Sequence, residues 1–321
     1  MNAHGVLLGT ALGDALGLPY EGLSPSRAGR LLPGPLRPRL VGSRMMVSDD
    51  TEHTILTAQA LLAAPDDVSA FARDLGWRLR GWLLALPAGV GFATLRACLK
   101  LCAGVSPERA GVRSAGNGPA MRAAILGVCL TDRRDDLRAY VRASTRLTHT
   151  DPRAERGALA VALVASGVPV PALPEIMDMD DELLEALDRP QASSGPNGVK
   201  GYIYDTVGAA LAAYRNHPGD WSGVVSEAVA AGGDTDTVAA IAGGLAGARG
   251  DALPDAWLQA LWEWPRDVSW MASLAGRLEA TFQKGERPGP LPVAWPLIPL
   301  RNALFLGTVL AHGFRRLAPP Y

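Results

Sequence analysis

Two short acidic segments of this 321-residue sequence carry the residues best suited to chemistry. Each places two carboxylates and neighbouring hydroxyls directly before a long apolar run: Ser48, Asp49, Asp50 and Thr51 in the first, and Asp234, Thr235, Asp236 and Thr237 in the second. Oxygen ligands without a Cys or His cluster suit a hard cation such as Mg²⁺, Mn²⁺ or Ca²⁺ rather than zinc. The segments predict a cation site if the fold brings them together, and their spacing does not decide whether it does.

Helix capping is the alternative explanation of either segment alone. Asp49 as N-cap, with Glu52 three residues later, would form a capping box, and acidic residues also suit the positive end of a helix dipole. One cap needs one acceptor and contributes ~1 kcal/mol. Two carboxylates about 4 Å apart repel by ~4 kcal/mol at an effective dielectric constant of ~20. Four converging carboxylates would therefore require a cation among them.

The elements that must position these residues are helices. Ala- and Leu-rich stretches with helical periodicity fill most of the chain, and alternating Val/Ile/Thr segments joined by hairpin turns are absent. Helices are predicted over 52–64, 68–86, 118–130, 156–167, 203–216, 237–250 and 255–264. The sequence predicts an all-α fold, a compact multi-helix bundle that forms a single domain over 1–321, with strands at most minor.

Glycines recur at every fourth position in two of these stretches. Gly9, Gly13 and Gly17 form one such row, and Gly243 and Gly247 form another. Each glycine inside a helix costs ~1 kcal/mol relative to alanine. The spacing therefore predicts a bare helix face that another helix, or a ligand, approaches closely.

Other polar groups are weaker candidates. Gly116, Asn117 and Gly118 precede a predicted helix, a geometry that presents backbone N–H groups to anions, although a lone glycine turn is more often an ordinary loop. His149 stands alone before another helix, where a histidine is usually structural. Asp14 lies near a predicted helix end, where a surface role and a site role are equally compatible with the pattern.

Composition excludes several classes of protein. Thirty-one basic residues against 32 acidic ones leave a net charge of −1, which does not favour nucleic acid or an anionic membrane. Cys98, Cys102 and Cys129 are too few for a disulfide framework, and the first two, one turn apart, are predicted to be buried thiols rather than a metal pair. No secretory signal and no uncharged apolar run of ~18 residues is present. These features predict a cytoplasmic protein without a membrane partner.

Loops are predicted over 30–44, 191–200 and 283–299 because proline and glycine are concentrated there. The first is a candidate mobile flap beside the site.

The motifs together resemble a known family. In order they are GTALGDALGLPYEG, SDDTEHT, GNGPAMR, THTDPRAERGALA, GYIYDTVGAALAAY and GGDTDTVAAIAGGLAGA. They are similar to those of the ADP-ribosylglycohydrolase family, which includes dinitrogenase reductase-activating glycohydrolase and the ADP-ribosyl-acceptor hydrolases. The combination of SDDT with GGDTDT is highly specific. The resemblance spans residues 5–250, and the remainder of the chain matches loosely.

The resemblance implies a two-metal site, Mg²⁺ or Mn²⁺, at the base of an ADP-ribose cleft in a compact all-α fold. The metal ligands it implies are Ser48, Asp49, Asp50, Asp234, Asp236 and Thr237. The catalytic carboxylates it implies are Asp50 or Asp234 as the proton acceptor, with Glu21 approaching the metals. Substrate binding is expected from Gly116, Asn117, Gly118, Met121 and His149. Asp14 would support the ligands, and Asp205 and Thr206 would support the cleft.

The function that the resemblance implies is hydrolysis of the bond between ADP-ribose and an acceptor, such as an arginine side chain, by a metal-activated water. The substrate would be an ADP-ribosylated protein or small molecule, and a monomer is expected. Two enzymatic alternatives stay open, namely a serine linkage and an acetyl-ester linkage. A non-catalytic ADP-ribose-binding or structural role, and a helical scaffold in which every aspartate is a cap, also stay open.

Overall fold

The chain is described by a computed structural model over residues 1–190 and 195–316, so part of the predicted loop 191–200 lies outside the described residues. The α-helices are α1 (Ala3–Gly17), α2 (Pro25–Leu31), α3 (Asp49–Ala63), α4 (Val68–Leu84), α5 (Phe92–Cys102), α6 (Pro107–Ala110), α7 (Gly118–Met121), α8 (Ala124–Cys129), α9 (Arg134–Arg146), α10 (Pro152–Ala165), α11 (Leu173–Ile176), α12 (Asp181–Asp188), α13 (Ile203–Asn216), α14 (Trp221–Ala230), α15 (Thr235–Arg249), α16 (Asp255–Leu258), α17 (Val268–Lys284) and α18 (Leu297–Arg315). Over the described ranges the only extended pairings are isolated bridges. The predicted all-α fold is confirmed.

Helices α1 and α15 lie at the centre of the molecule, and their contact explains the glycine rows. A methyl group added at Gly9 would overlap the carbonyl oxygen of Gly243, and one added at Gly13 would overlap that of Ala239. The same relation pairs Gly5 with Gly247 and Gly17 with Thr235, which makes the two helices antiparallel. The predicted close approach of another helix is therefore confirmed.

Most of the other helices pack around this pair in one large hydrophobic core, and a second, small cluster includes Phe305 of α18. Every residue of α1 except His4 is buried, and α15 is buried from Thr235 to Gly247. Helices α3, α10, α13, α14 and α17 contact the pair or one another. Because α15 is enclosed on all sides, the position of its N-terminus is fixed, and so are the aspartates that precede and enter its first turn.

The acidic segments do not cap their helices in the predicted way. Helix α3 begins at Asp49 with Ser48 as N-cap, since the Ser48 hydroxyl accepts a hydrogen bond from the Asp50 amide at 3.4 Å. The predicted capping box is wrong because the Glu52 side chain instead accepts hydrogen bonds from Trp82 and Arg266. Asp234 precedes α15 without a side-chain capping bond. Capping therefore leaves the aspartates of both segments available for another role.

Two predicted helices are shorter or divided. The stretch 118–130 breaks at Arg122, whose side chain turns inward to bind the Gly118 carbonyl and neighbouring groups, so that α7 and α8 are separate helices. The stretch 255–264 is helical only as far as Leu258, because the Ala260 carbonyl and the Trp262 amide then bond to the Met45 backbone.

The cysteines are free, as expected, but only two are buried. Cys98 and Cys129 lie in the core, whereas Cys102 is exposed because it is the last residue of α5. The prediction of a buried pair is therefore wrong for Cys102.

The C-terminal helix α18 combines an anchored face with an apolar exposed face. Arg301, Asn302 and Phe305 are buried against the protein, while Leu300, Leu310 and other apolar residues are exposed. Over the described ranges α18 is the one helix long and apolar enough to cross a membrane by length and composition, with a mean hydropathy of 1.3 and 22% of the window buried. This is weak grounds for a membrane role, and the absence of a membrane partner stays a prediction.

Candidate functional site

The N-termini of α3 and α15 open onto one cleft of about 620 Å³. Asp49 and Asp50 line it from α3, and Asp234, Asp236 and Thr237 line it from α15 and the residue before it. The Thr237 hydroxyl donates a hydrogen bond to Asp50 Oδ2 at 3.3 Å, which links the two segments directly. The convergence that sequence spacing left undecided is therefore a feature of the fold.

Asp14 holds the start of α3 in place. Its carboxylate, completely buried in α1, accepts hydrogen bonds from the Ser48 amide at 2.9 Å and from the Thr51 amide and hydroxyl at 3.1 and 2.5 Å. Burial raises the pKa of Asp14 to about 6, although these hydrogen bonds favour the ionised form. Asp14 thus holds the first acidic segment in place without lining the cleft, and its support of metal ligands stays a prediction.

Two carboxylate oxygens at the base of the cleft are buried without a partner among the described residues. They are Asp50 Oδ1 and Asp236 Oδ1, on side chains that are 1% and 5% exposed. Burial and neighbouring carboxylates raise the pKa of both residues, and of Asp49, well above the ordinary value. Unpaired buried oxygens are costly, and a hard cation is the partner that such a donor set fits.

The carboxylates line one cleft, but they are not arranged as a complete set of metal ligands. Within the described part of the chain, no three His, Cys, Asp or Glu side chains stand together as a ready group of metal ligands. Ser48 Oγ is directed to Asp50 Oδ2 at 3.1 Å rather than to the cleft. Cation binding at this site would thus involve rotation of side chains on a fixed backbone.

Glu21 also lines the cleft. Its position is set by the backbone, because the Gly22 amide donates to the Gly233 carbonyl at 2.7 Å and Arg316 donates to the Glu21 carbonyl at 2.7 Å. The surrounding protein and the Asp234 carboxylate raise the pKa of Glu21, and Arg316 opposes this shift. Glu21 therefore lies beside the second acidic segment, and its approach to a metal stays a prediction.

The predicted substrate-binding residues form the other wall. Gly116, Asn117, Gly118, Met121 and His149 all line the cleft. The Asn117 side-chain amide donates to Asp234 Oδ2 at 2.6 Å and to the Thr206 hydroxyl at 3.1 Å. Asn117 thus orients a candidate metal ligand, a contact that joins this wall to the acidic segments.

His149 is packed over the glycines of this wall. The ring is 3% exposed, and a Cβ at Gly116 would lie 3.0 Å from its Nε2 atom, so the turn has little room for a side chain. Burial and the Arg122 guanidinium lower the pKa of His149 to about 3. The ring is accordingly neutral at neutral pH.

Several lining residues were not found by sequence reasoning. They include Phe92, Thr94, Ser114, Lys200 and Gly201. Phe92 is an exposed aromatic at the first position of α5, and Lys200 stands next to Gly201, whose carbonyl accepts from the Asn117 amide at 3.1 Å. The position of Lys200 between glycine-rich turns was the feature of the sequence that could have indicated it as a lining residue. In contrast, Asp205 does not line the cleft, and neither does any residue of 30–44, so the role of that loop as a mobile flap beside the site stays a prediction.

The chain is similar to known proteins in both sequence and structure. The profile of the ADP-ribosylglycohydrolase family matches residues 2–288, beyond the core of 5–250 that the motifs covered. An uncharacterized protein of Archaeoglobus fulgidus is 31% identical over 85% of this chain and 94% of its own length. ADP-ribosyl-[dinitrogen reductase] glycohydrolase of Rhodospirillum rubrum is 26% identical over 85% of this chain and 96% of its own length.

The solved structure of an ADP-ribosylglycohydrolase-related protein complex has a TM-score of 0.71, with 30% identity, and covers 86% of this chain and 96% of its own. The chain belongs to the ADP-ribosylglycohydrolase family. Membership of this family supports hydrolase activity of the ADP-ribosylglycohydrolase type for this chain.

Proposed function

We propose that this protein is a metal-dependent hydrolase that releases ADP-ribose from a modified acceptor, with an arginine side chain as the first acceptor to test. The observation that carries the proposal is the pair of unpartnered buried oxygens, Asp50 Oδ1 and Asp236 Oδ1, at the base of a cleft large enough for a nucleotide-sized ligand. Capping does not account for either oxygen, and family membership makes an ADP-ribosyl compound the natural substrate class.

The residues that would hold two divalent cations, Mg²⁺ or Mn²⁺, are Ser48, Asp49, Asp50, Asp234, Asp236 and Thr237. Such cations, when bound, supply Lewis acidity. Their fit rests on the donor chemistry of these six residues, which offer carboxylate and hydroxyl oxygens and no sulfur or imidazole. Asp14 and Asn117 would hold the two acidic segments in position through the hydrogen bonds described above.

The chain's own carboxylates would handle the proton of the attacking water. We assign Asp234 as the acceptor because it is partly accessible from the cleft and, within the described residues, only Asn117 bonds to its side chain, at Oδ2, so that Oδ1 could take the proton. Asp50 is the other candidate, although it is almost completely buried. The water oxygen forms a bond to the anomeric carbon as the bond to the acceptor breaks, and the departing nitrogen takes up a proton. Glu21, whose raised pKa favours holding a proton, is our candidate donor for that last step.

The first experiment measures release of free ADP-ribose from an ADP-ribosyl-arginine peptide by mass spectrometry, with Mg²⁺ or Mn²⁺ and with a chelator. We expect release only with the cation. The variant Asp236→Asn should reduce the rate by more than about 100-fold, since even residues that only support metal ligands contribute 10- to 100-fold. Asp135→Asn, an exposed aspartate of α9, is the matched control and should leave the rate unchanged.

The possible outcomes separate the linkage from the metal chemistry. Cation-dependent release from serine or acetyl-ester compounds, but not from arginine, would mean that the protein is a metal-dependent hydrolase that acts on a different linkage. Release that persists in chelator and in Asp236→Asn would contradict the metal-dependent mechanism. ADP-ribose binding without release from any of the three compounds would favour a non-catalytic role.

A further inference from the structure

A completely buried arginine lies behind the glycine wall of the cleft. The Arg122 guanidinium has five N–H groups, and each has an acceptor. The acceptors are Ser144 Oγ at 3.0 Å, the Ser144 carbonyl at 2.9 Å, Thr148 Oγ1 at 2.8 Å, the Gly118 carbonyl at 3.2 Å and His53 Nδ1 at 3.0 Å. Within the described ranges no carboxylate pairs with Arg122, so its positive charge is uncompensated next to the cleft.

The guanidinium fixes the hydrogen-bonding roles of its neighbours because it can only donate. Thr148 Oγ1 accepts from Arg122 and keeps its own hydrogen for a second bond. Two acceptors are within reach of that hydrogen: His149 Nδ1 at 2.9 Å and the Thr145 carbonyl at 3.4 Å. The shorter contact favours donation to His149 Nδ1.

Donation from Thr148 determines which nitrogen of His149 carries the proton. A neutral imidazole that accepts at Nδ1 must carry its hydrogen on Nε2. That Nε2 atom lies over Gly116 and Gly118 in the cleft wall, and in the described part of the chain it has no hydrogen-bond partner. His149 is therefore a buried polar side chain that directs an unused donor toward the cleft.

We propose that Thr148, held by Arg122, fixes His149 as the Nε2–H tautomer, so that His149 donates a hydrogen bond to a phosphate oxygen of the ADP-ribosyl group; the choice of ligand rests on the proposed function. An anionic oxygen is the acceptor that the geometry favours, because the unpaired Arg122 charge lies directly behind the same wall. Thr148 and Arg122 are positioning residues, whereas His149 would touch the ligand.

The tautomer can be measured without any ligand. In protein with ¹⁵N-labelled histidine, we expect His149 to show a protonated Nε2 and an unprotonated Nδ1 in NMR spectra, with the signals assigned by their loss in His149→Gln. Thr148→Ser, which keeps the hydroxyl, should give the same pattern. Thr148→Val, which keeps the shape and removes the hydroxyl, should shift the population toward the Nδ1–H form.

The second measurement is the affinity for ADP-ribose in the presence of Mg²⁺, by calorimetry. A hydrogen bond to a charged group corresponds to a loss of roughly 10- to 100-fold in affinity when it is removed. We expect a loss in this range for Thr148→Val and little change for Thr148→Ser. In turnover, Thr148→Val should raise KM more than it lowers kcat, since the contact is to a part of the substrate that does not react.

Thr145→Val is the matched control, because the Thr145 hydroxyl is buried in the last turn of α9, three residues before Thr148, and has no hydrogen-bond partner among the described residues. It should leave both the tautomer and the affinity unchanged. If Thr148→Val fails to fold, the NMR measurement on the unmodified protein still decides the tautomer. His149→Gln, which keeps an N–H donor near Nε2, should then retain more affinity than His149→Leu.

Two results would overturn the inference. One is an Nδ1–H tautomer of His149 in the unmodified protein, and the other is unchanged ADP-ribose affinity in a folded Thr148→Val variant. An Nε2–H tautomer in a protein that binds no ADP-ribose would overturn the ligand assignment together with the proposed function. The NMR measurement therefore tests the tautomer of His149, and the binding measurement separately tests the proposed function.

Discussion

At the scale of single residues, the site depends on polar groups that hold the acidic segments in place. Asp14 accepts three different donors from the first turn of α3 and its preceding residue, and Asn117 joins the glycine wall to Asp234. Each of these contacts crosses between segments that are distant in sequence. Their loss should therefore change the stability of the site as well as its chemistry.

The hydroxyl of Thr51 provides a direct test of this support. Thr51→Val removes the donor to the Asp14 carboxylate, and a hydrogen bond to a charged group contributes about 1.5–3 kcal/mol. Because the bond stabilises the ionised form of Asp14, whose pKa is about 6, the loss should be larger at pH 7.5 than at pH 5. The measurement is the free energy of unfolding by denaturant at both pH values.

Thr57→Val is the control for this measurement. Thr57 is also completely buried on α3, but among the described residues its hydroxyl bonds only to the carbonyl of His53 one turn earlier, to which it donates, and such a bond adds little to helix stability. We expect it to be less destabilising than Thr51→Val and its effect to be independent of pH. Equal effects of the two variants at both pH values would refute a special role for the Asp14 contact.

At the scale of elements, the contact between α1 and α15 determines where the acidic residues lie. Gly13→Ala would force its methyl group into the Ala239 carbonyl, and backbone cannot move aside as a side chain can. We expect destabilisation of at least about 1–3 kcal/mol, the usual cost of overpacking. Cation binding should weaken as well, because the start of α15 would shift. Thermal unfolding with and without Mn²⁺ measures both effects.

Gly276→Ala is the matched control on α17, where a methyl group would meet open space. Alanine there should stabilise the protein by up to about 1 kcal/mol through helix propensity alone. A Gly13→Ala protein as stable as the Gly276→Ala protein would show that close contact of α1 with α15 is not required.

The same scale shows what the sequence predicts and what it leaves open. Helix type was readable from periodicity, and α13 was predicted with its observed bounds of Ile203–Asn216. Arg122 was missed because it lies within an apolar helical pattern, although a charged residue inside such a run was itself a signal. Convergence of the two acidic segments was not predictable, since it depends on which helices pack together. Local patterns determine local structure, whereas the site depends on contacts between distant parts of the chain.

At the scale of the whole molecule, the acidic cleft should link stability to pH and to cations. Burial raises the pKa of Asp14, Asp49, Asp50 and Asp236, and repulsion from neighbouring carboxylates raises it further for the last three, so each binds its proton more tightly in the folded state than in the unfolded state. The stability that this provides is present at low pH and is lost as pH rises through the folded-state pKa values, from about 6 upward. Cations compete with these protons, so their stabilising effect should increase over the same range.

The measurement is the melting temperature in chelator and in saturating Mn²⁺ between pH 6 and pH 8. The lowered pKa values of the buried His53 and His149 make the protein less stable as pH falls, but this contribution is the same with and without the cation and cancels in the difference. A cation at 100 times its Kd adds about 2.7 kcal/mol of stability, and we expect the difference to grow toward pH 8. Asp236→Asn should reduce the gain at pH 8 and flatten its dependence on pH. A gain that is constant from pH 6 to pH 8, or absent at pH 8, would mean that these carboxylates do not bind the ion.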